Sequence, residues 1–212
     1  MSFGLDESSL PQIGDAVAMA LEQVQSYLET DDRQQARTAL QEAEGDASTS
    51  DEYGAIAGVV LSDLGDEEWG RRVLSKAIER APSATALASL AGHALQIGDM
   101  DLVHTIINRA TDRATSVSDA MGAAAIAEVF GDDSAITKVF YNKAETLVST
   151  SNDLITMSRG VAVMDPDRAR RYLQQALDRL STREDREAVA EVAEEVLDDG
   201  EWAERIRTEG MS

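Results

Sequence analysis

Apolar residues recur at helical spacing through most of the chain, and short acidic or glycine-containing turns interrupt them. The turns are TDD (30–32), GD (65–66), GD (98–99), GDD (131–133), MDPD (164–167) and DDG (198–200), and their aspartates lie 32 to 34 residues apart. An amphipathic segment follows each turn, as in RRVLSKAI (71–78), and another precedes it, as in ATALASLAGHAL (84–95). This spacing predicts α-helices. The chain is therefore predicted to repeat a unit of helix, tight turn and helix.

The turns contain residues that end one helix and begin the next. An aspartate in each turn is placed to accept hydrogen bonds from the first free amides of the following helix. Gly65 and Gly98 allow the left-handed backbone that closes a helix, and Pro166 suits a first helical turn, where no amide donor is needed. The aspartates expected to act as caps are Asp66, Asp99, Asp133 and Asp165.

Small residues recur at two positions of the second helix in each unit. A larger side chain where two helices cross closely would force them apart, so these residues are predicted to set the spacing of each helix pair. Larger residues between them are predicted to fill the space between consecutive pairs. The first position holds Ala36, Gly70, Val103, Thr137, Ala169 and Ala203; the second holds Ala43, Ala77, Ala110, Ala144, Ala176 and Gly210; the larger residues are Leu40, Leu74, Ile107, Tyr141 and Leu173.

This arrangement resembles the tetratricopeptide repeat over residues 15 to 210. The second unit shows it best, with Gly58, the Gly65-Asp66 turn, Gly70 and Ala77 seven apart, and Pro82. The resemblance implies an all-α fold, a right-handed α-solenoid of about six antiparallel helical hairpins. The expected organisation is a flexible segment (1–14) and a single domain (15–212) with units at 15–48, 49–83, 84–116, 117–150, 151–182 and 183–212.

The sixth unit departs from the repeat pattern. Glu191 replaces a small residue and Arg207 replaces a large apolar one, while a narrow apolar stripe is kept at Val189, Val192, Val196 and Ile206. A repeat array needs a polar cap at its end, so this unit is expected to be the C-terminal cap.

The two tryptophans stand in the same place of the repeat. Trp69 and Trp202 each follow an acidic turn and come directly before the first small position, which holds Gly70 and Ala203. Each ring is predicted to pack at a hairpin turn.

The chain is strongly acidic, with 40 Asp and Glu against 19 Lys and Arg, a formal charge of -21. Such a surface repels phosphate backbones, which disfavours binding of nucleic acid. The acidic, lysine-poor composition resembles that of proteins from salt-accumulating halophiles such as halophilic archaea, in which molar salt screens repulsion between carboxylates. The sequence shows no leader pattern and no apolar stretch that spans a bilayer, so a cytoplasmic protein without membrane association is expected.

No arrangement of residues indicates catalysis. The absence of cysteine excludes disulfides and thiolate chemistry. His93 and His104 fall in consecutive helices, but a metal site needs a third ligand, and ordinary structural roles are favoured. Ser149, Ser151 and Ser158 lack a partner that would activate a nucleophile. The sequence therefore predicts neither an enzyme nor a cofactor or metal site.

The remaining place for function is the surface of the repeat. In tetratricopeptide-like proteins the first helices line a concave groove that receives a partner segment. The resemblance places small and apolar residues in this groove. One subgroup of tetratricopeptide-repeat proteins binds the terminal carboxylate of its partner through lysine and asparagine side chains, and these are missing at the corresponding positions. The expected partner-binding residues are Ala55, Val59, Ala88, Gly92, Leu95, Gly122, Ile126 and Val129.

The leading hypothesis is a non-enzymatic scaffold or adaptor that binds another protein or peptide in this apolar groove. Three alternatives stay open. The residues can pack against neighbouring helices and leave no free groove, the same face can form a structural homo-oligomer, or the helices can hold a small ligand or metal.

Overall fold

The computed structural model describes residues 13–129, 134–180 and 183–208, and within these ranges its regular structure is helical, with no β-strand. The predicted all-α class is confirmed. The described residues form twelve successive α-helices, and α3 continues into a π-helical segment, Val60–Leu64. The helices are α1 (Asp15–Glu29), α2 (Arg33–Asp46), α3 (Ser50–Val59), α4 (Glu67–Arg80), α5 (Ala84–Gln96), α6 (Met100–Arg113), α7 (Val117–Val129), α8 (Ser134–Leu147), α9 (Ser151–Val161), α10 (Pro166–Leu177), α11 (Arg183–Glu195) and α12 (Gly200–Thr208).

The chain divides into two compact units, Met1–Ala110 (unit 1) and Thr111–Ser212 (unit 2). The single repeat domain expected over 15–212 stays a prediction. A repeat array gives each helix pair only its neighbours as contacts, so the pairs need not share one centre. Most of the predicted flexible segment, residues 1–12, lies outside the described residues. Gly14, at its end, precedes α1 and donates its backbone N–H to Glu52 Oε1 at 3.0 Å.

Each unit is built from antiparallel helix pairs joined by short turns. In unit 1, α1 packs on α2 and α3 on α4, while α5 packs on both α3 and α4. In unit 2, α7 packs on α8, α9 on α10 and α11 on α12. The first helices of neighbouring pairs also pack together, α7 on α9 and α9 on α11. This packing of successive pairs is consistent with an α-solenoid.

The small positions predicted from the sequence lie inside these pairs. All described members of both sets are buried, and Gly210 lies outside the described residues. The five larger residues predicted to fill the space between pairs are also buried. In the unit predicted to be the C-terminal cap, Val189, Val192 and Ile206 are buried and Val196 is half-buried.

Replacing Ala77 with leucine is expected to lower the free energy of unfolding by about 1 to 3 kcal/mol, because the added carbons have no space in the fitted core. Ala77 is fully buried, whereas Ser75 on the same helix is exposed. The Ser75→Leu variant should therefore unfold like the wild type in a denaturant titration. Equal stabilities of the two variants would contradict the assigned register.

The capping roles of the turn residues are confirmed. Asp66, Asp99 and Asp165 accept hydrogen bonds from the backbone N–H groups of the residues three positions later, at 3.0, 3.1 and 2.9 Å. The left-handed backbone expected at Gly65 and Gly98 is present, with φ of 66° and 68°. Pro166 is the first residue of α10, and Asp133 lies outside the described residues.

Candidate functional site

The eight residues predicted to line a groove differ widely in exposure. Ala88 and Gly92 are buried, so they pack against neighbouring parts of the fold, as one alternative held. Val129 is the one with an exposed side chain, at 78%. The other five, Ala55, Val59, Leu95, Gly122 and Ile126, are half-buried. Five of the eight belong to unit 1, and Gly122, Ile126 and Val129 belong to unit 2.

Side chains of α5 fill the space beside the glycines of α3 in unit 1. A Cβ on Gly54 would lie 2.9 Å from Leu90 Cδ2, and one on Gly58 would lie 2.9 Å from His93 Cε1. Burial lowers the pKa of His93, and its buried Nδ1 atom has no hydrogen-bond partner among the described residues. Gly54 and Gly58 therefore allow α3 and α5 to pack closely, and little accessible surface is left between the two helices.

The histidines have ordinary surroundings. His93 is half-buried against Gly58, and His104 is exposed on α6. Over residues 13–129, 134–180 and 183–208, no three histidine, cysteine or acidic side chains are grouped to hold a metal ion. Ser158 is fully buried, which places its hydroxyl out of reach of a substrate.

The helices α7 and α9 meet closely in unit 2. A Cβ on Gly160 would lie 1.9 Å from Met121 Cε, so the methionine methyl rests on the glycine backbone. The Tyr141 hydroxyl donates to Glu128 Oε1 at 2.5 Å and lies 3.3 Å from the Gly160 carbonyl oxygen. Burial, and then the Glu128 carboxylate, raise the pKa of Tyr141, so its phenol stays protonated. Tyr141 thus connects the last turn of α7 to the last turn of α9.

Exposed aliphatic side chains lie beside this connection. Val129 ends α7, and Val163 and Met164 form the turn after α9, where they are 90% and 53% exposed. Val129 and Val163 stand 34 residues apart, one repeat length. We call Val129, Val163 and Met164 the apolar edge of unit 2. A group of exposed aliphatic residues at neighbouring helix ends is typical of an interaction surface.

An arginine binds the capping aspartate of the following second helix in several repeats. Arg37 NH2 lies 2.8 Å from Asp66 Oδ2, and Arg71 Nε lies 3.1 Å from Asp99 Oδ2. Arg170 forms the corresponding ion pair with Asp199 in unit 2. Each arginine comes one residue after the first small position of its helix. The repeat thus carries an arginine–aspartate ladder between successive second helices.

The two tryptophan rings pack under arginines of this ladder. The Arg37 guanidinium stands 4.8 Å from the centre of the Trp69 ring, and that of Arg170 stands 4.5 Å from the Trp202 ring. Both rings are buried, which confirms their predicted packing at hairpin turns. Trp69 Nε1 also donates to Glu44 Oε2 at 2.6 Å.

The turn between α9 and α10 breaks this pattern. Four other turns have a left-handed residue just before the capping aspartate, namely Asp31, Gly65, Gly98 and Asp198. Met164 holds that position here and has no positive φ. Among the described side chains no cation lies within ion-pair distance of Asp165. The corresponding cation is Lys138 rather than arginine, and it is exposed.

Comparison of the chain with protein-family models, with curated proteins and with solved structures gives no match. Within the described ranges no helix has both the length and the hydropathy needed to cross a bilayer. The function of the chain is therefore inferred from the residues on its surface.

The apolar edge was only partly anticipated from the sequence. Val129 was among the predicted binding residues, whereas Val163, Met164 and Asp165 were not. Two signals were present. One is a methionine where other turns have glycine or aspartate, and the other is a column of basic residues one residue after the first small position. That column reads Arg37, Arg71, His104, Lys138 and Arg170.

Proposed function

We propose that the chain is a non-enzymatic helical-repeat scaffold, similar to tetratricopeptide-repeat proteins, that binds a segment of another protein. The observation that carries this proposal is the apolar edge of unit 2, where three aliphatic side chains are exposed at the ends of two packed first helices. Stacked repeats offer continuous surfaces for such binding. The six-repeat count, the right-handed superhelix, the cytoplasmic location and the halophilic origin stay predictions.

The rest of α7 extends the proposed surface. Gly122, Ile126 and Val129 are spaced i, i+4 and i+7, so they lie along one face of the helix. Gly122 and Ile126 are half-buried, which leaves part of each open to a partner beside the exposed Val129. A segment lying along this face would reach the apolar edge at its far end.

Unit 1 offers a weaker surface. None of its predicted residues is exposed as Val129 is, and Leu90 and His93 fill the space beside Gly54 and Gly58 on the same helices. The exposed Met19 stands apart on α1, at 69% exposure. We therefore assign partner binding to unit 2 and use Met19 as the control position.

Capture of partners from a lysate of the native host tests the proposal. Val163→Asp places a charge at an exposed position, so the fold should be retained and circular dichroism should match that of the wild type. We expect the wild type and Met19→Asp to capture the same proteins in similar amounts. The amount captured by Val163→Asp should be at least about fivefold lower, because interface energy concentrates in a few residues.

Two results would count against this function. Capture of the same proteins by all three forms would mean that the apolar edge plays no part. A dimer of the isolated chain in light scattering that Val163→Asp converts to a monomer would favour a structural homo-oligomer instead.

A further inference from the structure

We infer that the partner segment carries an arginine that pairs with Asp165 beside an aliphatic side chain that packs on Val163. This inference rests on the proposed function and adds the chemistry of the partner. It starts from the place where the arginine–aspartate ladder is interrupted next to the apolar edge.

The ladder itself shows how a guanidinium fits this kind of site. At Asp66 and Asp99 the capping carboxylate accepts a backbone N–H through Oδ1 and a guanidinium N–H through Oδ2. Asp165 accepts the backbone N–H of Arg168 through Oδ1 at 2.9 Å in the same way. Its second carboxylate oxygen is therefore in the position that binds arginine elsewhere in the chain.

The chain's own cation does not occupy this site. Lys138 stands where Arg37, Arg71 and Arg170 stand in their helices, yet within the described residues it forms no ion pair with Asp165. A lysine has a single ammonium group instead of the planar fork that arginine offers to a carboxylate. The nearby Arg168 is directed away, since its guanidinium binds Glu145 at 2.7 Å.

The side chains around the apolar edge are acidic and favour a basic partner. Glu128 precedes Val129, and Asp165 and Asp167 follow Met164. All three are exposed, and Asp165 and Asp167 are in no ion pair with a described residue. A second copy of a chain with a net charge of -21 would be repelled, whereas a segment with arginine is attracted. The occupant that fits is therefore a segment of another protein in which arginine alternates with aliphatic residues.

A defined peptide tests the inference directly. The probe is a fluorescein-labelled 14-residue peptide of alanine, leucine and arginine, and the matched peptides have glutamine or glutamate in place of arginine. Binding is measured by fluorescence anisotropy at a salt concentration at which circular dichroism shows the chain to be folded. The arginine peptide should bind the wild type more tightly than either matched peptide.

Four variants make the measurement specific. Asp165→Asn keeps a good helix cap but loses the charge, and we expect it to weaken binding of the arginine peptide about fivefold. Lys138→Arg should weaken binding as well, because its guanidinium would occupy Asp165. Met19→Ser and Asp46→Asn, at exposed positions of unit 1, remove an aliphatic side chain and a charge and should leave binding unchanged.

The possible failures are distinguishable. Equal binding of the arginine peptide to the wild type, Asp165→Asn and Asp46→Asn would mean nonspecific attraction to an acidic chain and would overturn the inference. The glutamine or glutamate peptide can instead bind as tightly as the arginine peptide, with Val163→Asp abolishing this binding. That result would support the proposed function and contradict the inference that the partner carries an arginine. If Val163→Asp changes the binding of none of the peptides, or none binds, both proposals fail. A dimer in sedimentation that Val163→Asp dissolves would identify a second copy as the occupant.

Discussion

Replacing Trp69 with alanine is expected to lower the free energy of unfolding by about 3 to 5 kcal/mol. The indole is buried against α2, donates Nε1–H to Glu44 and lies under the Arg37 guanidinium. Alanine would leave a cavity and remove both interactions at once. Denaturant unfolding, at a salt concentration at which the wild type is folded, measures the loss.

Two further variants separate the contributions of Trp69. Trp69→Phe keeps most of the ring but loses the donor to Glu44, so we expect a loss of about 1 to 2 kcal/mol. Trp202→Ala removes the equivalent ring from α12, where Trp202 is 8% exposed against 3% for Trp69, and its effect should be smaller than that of Trp69→Ala. A loss below about 1 kcal/mol for Trp69→Ala would contradict the packing role of the ring.

Replacing Glu52 with glutamine is expected to cost about 2 to 3 kcal/mol of stability at neutral pH. The buried carboxylate accepts backbone N–H groups of Ser48, Thr49 and Gly14 at 2.7, 2.8 and 3.0 Å, and the Ser48 hydrogen bond is the largest cause that lowers the pKa of Glu52 to about 2. Glutamine keeps one acceptor oxygen but loses the charge. It therefore holds the loop before α3 and the start of α1 less firmly.

The effect of Glu52 should depend on pH in a defined window. Its pKa is lower in the folded chain than the ordinary value of 4.5, so the stabilisation is complete above pH 4.5 and disappears as the pH falls towards about 2. The difference in unfolding free energy between the wild type and Glu52→Gln should therefore shrink across that window. Glu42→Gln, on the exposed face of α2, should match the wild type. A constant difference between the wild type and Glu52→Gln from pH 7 to pH 2 would contradict the role of the charge.

The local features of the repeat were predictable from the sequence because neighbouring residues determine them. Asp66 caps α4 and Gly65 adopts the left-handed backbone through interactions within one turn. Ala77 and Ala110 are fully buried because helical periodicity alone places them on the inner face of their helices. Tight turns and small positions are therefore enough to locate the helix pairs along the chain.

Features that depend on contacts between distant residues were not predictable in the same way. The division into two units depends on the sum of contacts over many helices. The burial of Ala88 and Gly92 likewise depends on how closely neighbouring helices approach, which their spacing along the chain does not reveal. Val163 is exposed in a turn in which Met164 lacks the left-handed backbone seen at Gly65. The one sequence signal of that difference is a methionine where other turns have glycine or aspartate.

The central claim is that the apolar edge of unit 2 is the surface that a partner covers. The most direct measurement is covalent carbene labelling of the isolated chain and of the complex captured from native lysate, read by mass spectrometry. We expect Val129, Val163 and Met164 to be labelled in the isolated chain and protected in the complex, while Met19 is labelled equally in both. Equal labelling of Val163 in the two samples, or protection confined to Met19, would contradict the claim.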